Sequence, residues 1–178
     1  MRHIHAGRNP LKLAFKLVLL ASFTALIGAS NAGPADTLGK RIDGVYELME
    51  WHAADGQVFR PPAVEGRFTV LDGYVSTIFT DRTKPPTANS LVAFGRYTLD
   101  QHQFAYAYDS ISSITESPSG TMISHEPFWD GMRVFAVSLE GDGVHFRTQG
   151  GKQQFAFTAG GMTYSEEGVT RVWRRIAH

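Results

Sequence analysis

A polar pair beside aromatic residues is the most site-like cluster in the chain. His125 and Glu126 precede Phe128 and Trp129, and a polar group among aromatic rings is suited to orienting a bound molecule. Adjacent residues of a strand point to opposite faces, so both side chains reach one cavity only if Pro127 bends the strand. The alternative is a surface pair next to a structural tryptophan.

Glu47 is a second candidate for acid–base chemistry. It lies in GVYELMEWH (44–52), whose valine, tyrosine and tryptophan content predicts a strand. Alternation places Glu47 on one face with Met49 and Trp51, and Glu50 on the other face, so the two glutamates form no dyad. Inside a cavity the Glu47 carboxylate would have a raised pKa and could act as a base, whereas at a barrel rim it would be solvated.

An aromatic stripe is the third candidate. Phe104, Tyr106 and Tyr108 share one face of a strand predicted over residues 103–108. They combine apolar area with hydroxyl groups, which suits either core packing or the wall of a binding site. The sequence contains no G-x-S-x-G motif, no phosphate-binding glycine loop and no nucleophile beside a base.

Composition limits the cofactors and partners. The chain has 178 residues and no cysteine, which excludes disulfides and thiolate metal sites. Beyond residue 32 the histidines form no H-x-H or H-x-x-x-H pair, and we predict neither a metal site nor a cofactor. The same stretch carries 13 basic and 17 acidic residues, a net charge of −4, which argues against a nucleic-acid partner.

Residues 1–32 have the layout of a secretory signal peptide. Four basic residues precede an apolar run over residues 17–29, and Ser30-Asn31-Ala32 places small residues at the −3 and −1 positions of a cleavage site. A transmembrane helix needs about 20 apolar residues, so an uncleaved anchor is the less favoured alternative. We expect export to the periplasm or the medium, with no membrane span after cleavage.

The remaining sequence alternates short apolar runs with turn signals every 8–12 residues. This spacing is typical of an antiparallel sandwich or barrel, and the succession of neighbouring hairpins favours closure. We therefore predict an all-β fold, an antiparallel up-and-down β-barrel of eight to ten strands over residues 44–178. Residues 33–43 are interpreted as a short polar lead-in, and no amphipathic helix is predicted.

Turn chemistry predicts several connections. Asp72-Gly73 indicates a hairpin with a type I′ turn, because both residues tolerate positive φ. Residues 81–90 (DRTKPPTANS) are polar and are interpreted as a loop long enough to cover a barrel mouth, and the polar residues 109–120 as a loop or one weak helical turn. Gly95, inside a predicted strand, indicates a bulge or a close approach of another chain segment.

Five short motifs, taken in order, resemble the lipocalin-like domain family of bacteria and fungi. They resemble its opening G-x-W-x-L-x-S-W, its second and third strands, its F-G-x-Y strand, its late G-D-x-L-x-L-x-T hairpin and its terminal L-V-W-E-R. The motifs lie at residues 44–51 (GVYELMEW), 66–73 (GRFTVLDG), 94–99 (FGRYTL), 141–148 (GDGVHFRT) and 171–176 (RVWRRI). The resemblance covers nearly all of residues 40–178 and implies a calycin-type barrel around a small cavity.

One position departs from the family pattern. Tyr46 stands where the family favours a tryptophan, which in lipocalins packs at the closed end of the barrel against an arginine of the last strand. The resemblance implies that Tyr46 makes this cation–π contact with Arg171 or Arg174, worth about 0.5–2 kcal/mol. The family's biochemical role is mostly undefined, so the resemblance implies a fold and a cavity rather than a reaction.

Three functions are compatible with these features. The leading prediction is an exported lipocalin-like protein that binds a small, mostly apolar molecule in its barrel, through a wall predicted to contain Met49, Trp51, Phe79, Tyr106, Tyr108, His125 and Phe135. The first alternative is an isomerase, cyclase or hydratase acting on an enclosed apolar substrate. No catalytic residue is assigned; the candidates for such an enzyme are His125, Glu47 and Tyr106. The second alternative is a structural or interaction domain with a filled core.

Overall fold

The computed structural model describes residues 34–128 and 131–177, so the predicted signal peptide and Trp129 lie outside the described residues. The described residues form one helix, α1 (Pro34–Ile42), and twelve strands. The strands are β1 (Gly44–His52), β2 (Val58–Phe59), β3 (Val64–Leu71), β4 (Tyr74–Lys84), β5 (Thr87–Leu99), β6 (Gln103–Ser117), β7 (Gly120–Glu126), β8 (Arg133–Glu140), β9 (Gly143–Thr148), β10 (Gln153–Thr158), β11 (Gly161–Glu166) and β12 (Val169–Ala177).

Ten of these strands close into an antiparallel barrel. The order is β1-β3-β4-β5-β6-β8-β9-β10-β11-β12, and β12 pairs back with β1. β2 pairs with the end of β1, while β7 pairs with the part of β6 that extends beyond its pairing with β8. Closure removes the exposed edges that an open sheet would have to protect. The predicted all-β up-and-down barrel is confirmed.

The predicted hairpin and the predicted close approach both occur. Asp72 and Gly73 adopt φ values of 49° and 82° between β3 and β4. At Gly95, an added Cβ would lie 1.8 Å from the carbonyl oxygen of Ala107 on β6. Only glycine fits there without displacing backbone, and the pairing of β5 with β6 shifts register at the same point.

Two predicted loops are strands instead. β4 and β5 extend through most of residues 81–90 and leave only Pro85-Pro86 between them. β6 continues through residues 109–117 and returns as β7. Hydroxyl side chains bond across the paired strands, for example Thr80 to Ser90 at 2.9 Å. A polar composition is typical of loops, but these polar residues form strands that are partly or fully exposed to solvent.

A helix occupies the stretch that was predicted as an irregular lead-in. α1 begins at Pro34, which suits a first helical position because proline has no N–H to leave unpaired. Leu38 and Ile42 are 6% and 0% exposed and pack into the hydrophobic core. The helix therefore closes one end of the barrel.

The cation–π contact at this closed end uses an arginine that was not predicted. The guanidinium of Arg175 lies 5.2 Å from the ring centroid of Tyr46 and donates a hydrogen bond of 2.6 Å to its hydroxyl. That hydroxyl donates in turn to the carbonyl oxygen of Ile42 at 2.6 Å. Arg171 and Arg174 were the wrong choices, because Arg174 lies on the outer face and Arg171 lies farther along the barrel.

A bulge in β1 changes which of its residues face the interior. The pairing of β1 with β12 skips a residue at Met49. Before the bulge, Tyr46 and Leu48 are buried inside the barrel; after it, Trp51 takes the inner position. The predicted alternation, which placed Glu47, Met49 and Trp51 on one face, is therefore wrong.

Aromatic rings fill the half of the barrel next to α1. Phe104 and Phe146 stack with ring centroids 4.5 Å apart and an angle of 7° between the ring planes. Neither ring is more than 1% exposed. Other aromatic rings in contact with this pair are Tyr97, Tyr106, Phe135, Phe155 and Phe157. The remaining space in the barrel lies beyond this stack.

Candidate functional site

A cavity of about 260 Å³ lies in the half of the barrel farther from α1. One water molecule occupies about 30 Å³ in the liquid, so the space corresponds to roughly nine water volumes. The cavity is continuous with the aromatic core below it, because Phe155 belongs to both. It therefore has room for a small molecule.

Apolar side chains form much of the cavity wall. They come from β3, β5, β10, β11 and β12, whose inward-facing residues alternate with outward-facing ones. These wall residues are Phe68, Leu91, Phe155, Met162 and Trp173. Burying an apolar ligand against them would contribute about 25 cal/mol per Å² before the cost of association.

Polar and charged side chains complete the wall, and several hold one another in place. The hydroxyls of Thr77 and Tyr108 are 2.5 Å apart. The hydroxyl of Tyr164 donates to Oε2 of Glu166 at 2.9 Å, and the amide of Gln153 donates to Oε1 of the same carboxylate. Both oxygens of Glu166 therefore accept bonds from the protein itself.

Two arginines also line the cavity. Arg133 begins β8 and forms a side-chain hydrogen bond with Tyr106. The guanidinium of Arg171 on β12 lies over three aromatic rings, 5.6 Å from the Trp51 centroid, 5.5 Å from Phe79 and 5.6 Å from Tyr164. The cavity thus places two fixed positive charges beside an apolar wall.

Burial changes the acidity of the tyrosines in the cavity. It raises the pKa of Tyr106 well above 10.0, against the opposing hydrogen bond from Arg133. Burial also raises the pKa of Tyr108 and of Tyr164, and the bond to Glu166 raises the pKa of Tyr164 further. All three phenols therefore stay protonated at neutral pH and serve as hydrogen-bonding groups rather than as bases.

Five of the seven predicted wall residues lie in or beside this region. Tyr106 and Tyr108 line the cavity. Trp51 and Phe79 pack against each other, with ring centroids 5.4 Å apart, beside Arg171. Phe135 stacks on Tyr106 and belongs to the aromatic core beneath the cavity rather than to its lining.

The other two predicted wall residues lie elsewhere. Met49 lies at the bulge in β1 and lines a groove on the outer surface. His125 lies on β7, where every residue is exposed, and bonds to the hydroxyl of Ser112 at 2.9 Å. Met49 lies on the outer face because Tyr46 and Leu48, which alternate with it, are buried inside, and His125 lies outside because β7 runs outside the barrel ring.

Glu47, a candidate for the enzyme alternative, also lies outside the cavity. Its carboxylate accepts from Arg67 at 3.1 Å and from Arg174 at 2.7 Å on the outer face of the barrel. These three residues line the outer groove, of about 490 Å³, together with Glu65. Of the three enzyme candidates, only Tyr106 belongs to the cavity.

The charged residues of the site, Arg133, Glu166 and Arg171, were not predicted from the sequence. Arg171 is inward-facing by the same alternation that buries Trp173 and brings Arg175 onto Tyr46, so the terminal strand carried a usable signal. Arg133 and Glu166 lie at strand ends, where a sequence pattern does not say whether a side chain turns inward. Their position in the cavity follows only from the folded barrel.

The described part of the chain offers neither a metal-binding cluster nor a membrane-spanning helix. Residues 34–128 and 131–177 contain no group of three or more histidine, aspartate or glutamate side chains arranged to hold a metal ion. Within the same residues, no helix has the length and apolar character needed to span a membrane. No protein-family model, curated protein or solved structure matches the chain.

Proposed function

We propose that this protein is an exported, lipocalin-like barrel that binds a small, mostly apolar molecule in its cavity. The observation that carries the proposal is the cavity of about 260 Å³, walled by Phe68, Leu91, Phe155, Met162 and Trp173. Binding sites for small molecules are typically concave and mostly apolar, with a few polar groups that fix orientation. Tyr106 and Tyr108 supply such groups.

Two further features support the lipocalin-like part of the proposal. The barrel closes at the end where α1 and the start of β1 lie, and an arginine of the last strand covers the ring of Tyr46 there. This is the type of contact that the resemblance implied, made by Arg175. Export rests on the sequence pattern of residues 1–32 alone.

Simple binding is favoured over the enzyme alternative. Two of its three candidate groups, Glu47 and His125, lie on the outer surface. The third, Tyr106, has a raised pKa and remains a neutral phenol at pH 7. The alternative of a structural or interaction domain with a filled core fits only the half of the barrel around Phe104 and Phe146.

Native mass spectrometry of the full chain, purified gently from its own source, tests the proposal. We expect an extra mass that dissociates on denaturation. A Leu91→Trp variant, which fills the cavity from its wall, should lose that mass, whereas Ile78→Trp on the outer face should keep it. An extra mass that persists in Leu91→Trp would place the ligand elsewhere, and its absence from the wild type would count against a carrier.

A further inference from the structure

We propose that the ligand carries an anionic group, and that Arg171 binds it: the molecule is a small apolar acid, with a carboxylate as the simplest case. This inference rests on the proposed function and specifies the chemical class of its ligand. It follows from the charge that the cavity leaves uncompensated.

Arg171 differs from the arginines on the outside of the barrel. Six outward-facing arginines each lie within 4.0 Å of a carboxylate oxygen: Arg60, Arg67, Arg82, Arg96, Arg147 and Arg174. Among the residues that the structure describes, Arg171 has no such partner, although it lies inside the barrel where a charge needs one most. These six arginines are paired with carboxylates, whereas Arg171 is not.

The surroundings of Arg171 hold its position without satisfying its donors. The rings of Trp51, Phe79 and Tyr164 contact the guanidinium through their π systems. Its Nε is buried and has no hydrogen-bond partner within the described residues. A planar guanidinium offers several N–H donors in a fixed geometry, which matches a carboxylate by two parallel bonds.

The acid that lines the same cavity does not neutralise Arg171. Glu166 forms no ion pair with it in the part of the chain described, and the two oxygens of Glu166 accept bonds from Tyr164 and Gln153. An anionic group on an apolar molecule would give the Arg171 guanidinium a partner inside the cavity, whereas a neutral molecule would not.

The cavity size sets the scale of the apolar part. About 260 Å³ corresponds to about nine non-hydrogen atoms if each takes roughly the liquid volume of one water molecule. Octanoate has about that size, and 1-octanol and octylamine share its chain with a neutral and a cationic head. These three probes separate the apolar contribution from the charge contribution.

The test is calorimetric titration of the full chain at pH 7 with octanoate, 1-octanol and octylamine. We expect octanoate to bind at least tenfold more tightly than 1-octanol, and octylamine to bind most weakly. Equal binding of octanoate and 1-octanol would overturn the assignment of an anionic ligand and leave the proposed function intact. Binding of none of the three would overturn both.

Variants assign the effect to one side chain. Arg171→Leu should weaken octanoate at least tenfold and change 1-octanol by less than about threefold, while Arg171→Lys should weaken octanoate by less than Arg171→Leu does. Arg174→Leu, three residues along the same strand but on the outer face, is the matched control and should bind octanoate as the wild type does. Unchanged octanoate affinity in a folded Arg171→Leu variant would overturn the role of Arg171. If Arg171→Leu does not fold, Arg171→Lys is the test. Weaker octanoate binding with unchanged 1-octanol binding would support the role of Arg171, and unchanged octanoate binding would overturn it.

Discussion

The two halves of the barrel use the same strands for different purposes. Near α1, the inward positions carry Phe104, Phe146 and Phe157, and the ring of Phe146 contacts the other two. Farther along the same ring of strands, inward positions carry Leu91 and Arg171 around a cavity of about 260 Å³. We therefore expect the first half to contribute most of the stability, while the second half contains the cavity.

The difference shows how one alternating pattern can build both a core and a site. Large rings meeting from opposite walls fill a barrel interior, as Phe104 and Phe146 do. Where the inward position carries a smaller or charged side chain, such as Leu91 or Arg171, the side chains of opposite walls leave a cavity between them. The division between the halves is therefore set by side-chain size at equivalent inward positions.

The largest effect is expected from truncating the aromatic stack. Phe104→Ala removes a ring that is 1% exposed and contacts several others, and should lower the free energy of unfolding by about 3–5 kcal/mol. Leu91→Ala, at the half-buried cavity wall, should cost less than about 2 kcal/mol because space already exists beside it. Urea unfolding of both variants measures this difference, and equal losses would contradict the division into two halves.

The next effect concerns the arginine at the closed end. Arg175→Met removes the hydrogen bonds to Tyr46 and the cation–π contact, and should lower the free energy of unfolding by about 2–3 kcal/mol. Arg174→Met on the outer face loses only an exposed ion pair with Glu47 and should cost less than about 1 kcal/mol. Chemical denaturation compares the two; a reversed order would mean that Arg175 does not stabilise the closed end.

A matched pair of enlargements on β5 probes the boundary between the halves. Ala93 is completely buried, so Ala93→Leu should force neighbouring side chains apart and cost about 1–3 kcal/mol. Leu91→Phe, two residues away on the same inner face, points to the cavity and should leave stability within about 1 kcal/mol of the wild type. Thermal unfolding gives the stability change, and ligand titration should show weaker binding for Leu91→Phe alone.

The smallest effect is a pH dependence at the closed end. Burial raises the pKa of Asp43 above 3.8, against an opposing hydrogen bond from Tyr97. A raised carboxyl pKa in the folded state means that its stabilising contribution is fully present below pH 3.8 and is lost as the pH rises through the raised value. Asp43→Asn should therefore raise the unfolding free energy at pH 7, by less than about 1 kcal/mol because the carboxyl is partly solvated.

The control for this prediction is the pH itself. The difference between Asp43→Asn and the wild type should shrink as the pH is lowered toward 3.8, where the wild-type carboxyl is increasingly protonated. Denaturant titrations at several pH values measure it. A wild type that is more stable than Asp43→Asn at pH 7, with that advantage lost on acidification, would show that the folded state lowers this pKa instead.

Sequence patterns predicted the barrel because its local signals agree with its global shape. The Asp72-Gly73 turn and the glycine at position 95 carry chemistry that few other residues provide, and both appear as expected. The extended arms over residues 81–90 and 109–117 were missed because serine and threonine there are stabilised by pairing with another strand. Such pairing is a tertiary property that composition does not reveal.

Less of the candidate site than of the fold could be predicted from the sequence. The bulge at Met49 in β1 turns Trp51 to the inner face while Met49 stays on the outer face with Glu47, and a period of two cannot show where such an extra residue sits. His125 was placed in the wall by its aromatic neighbours, but β7 runs outside the barrel ring. Tyr106 and Tyr108 line the cavity, and their shared face could be read from one uninterrupted alternating stretch.

The most direct test is to map the bound molecule onto the two halves by NMR. Octanoate is titrated into the isotope-labelled full chain, and backbone and methyl chemical shifts are followed. We expect the chemical-shift changes to concentrate at Leu91, Met162 and Arg171 and to be absent around Phe104 and Phe146. Shifts centred on the outer groove around Glu47, or spread through the aromatic stack, would contradict this expectation.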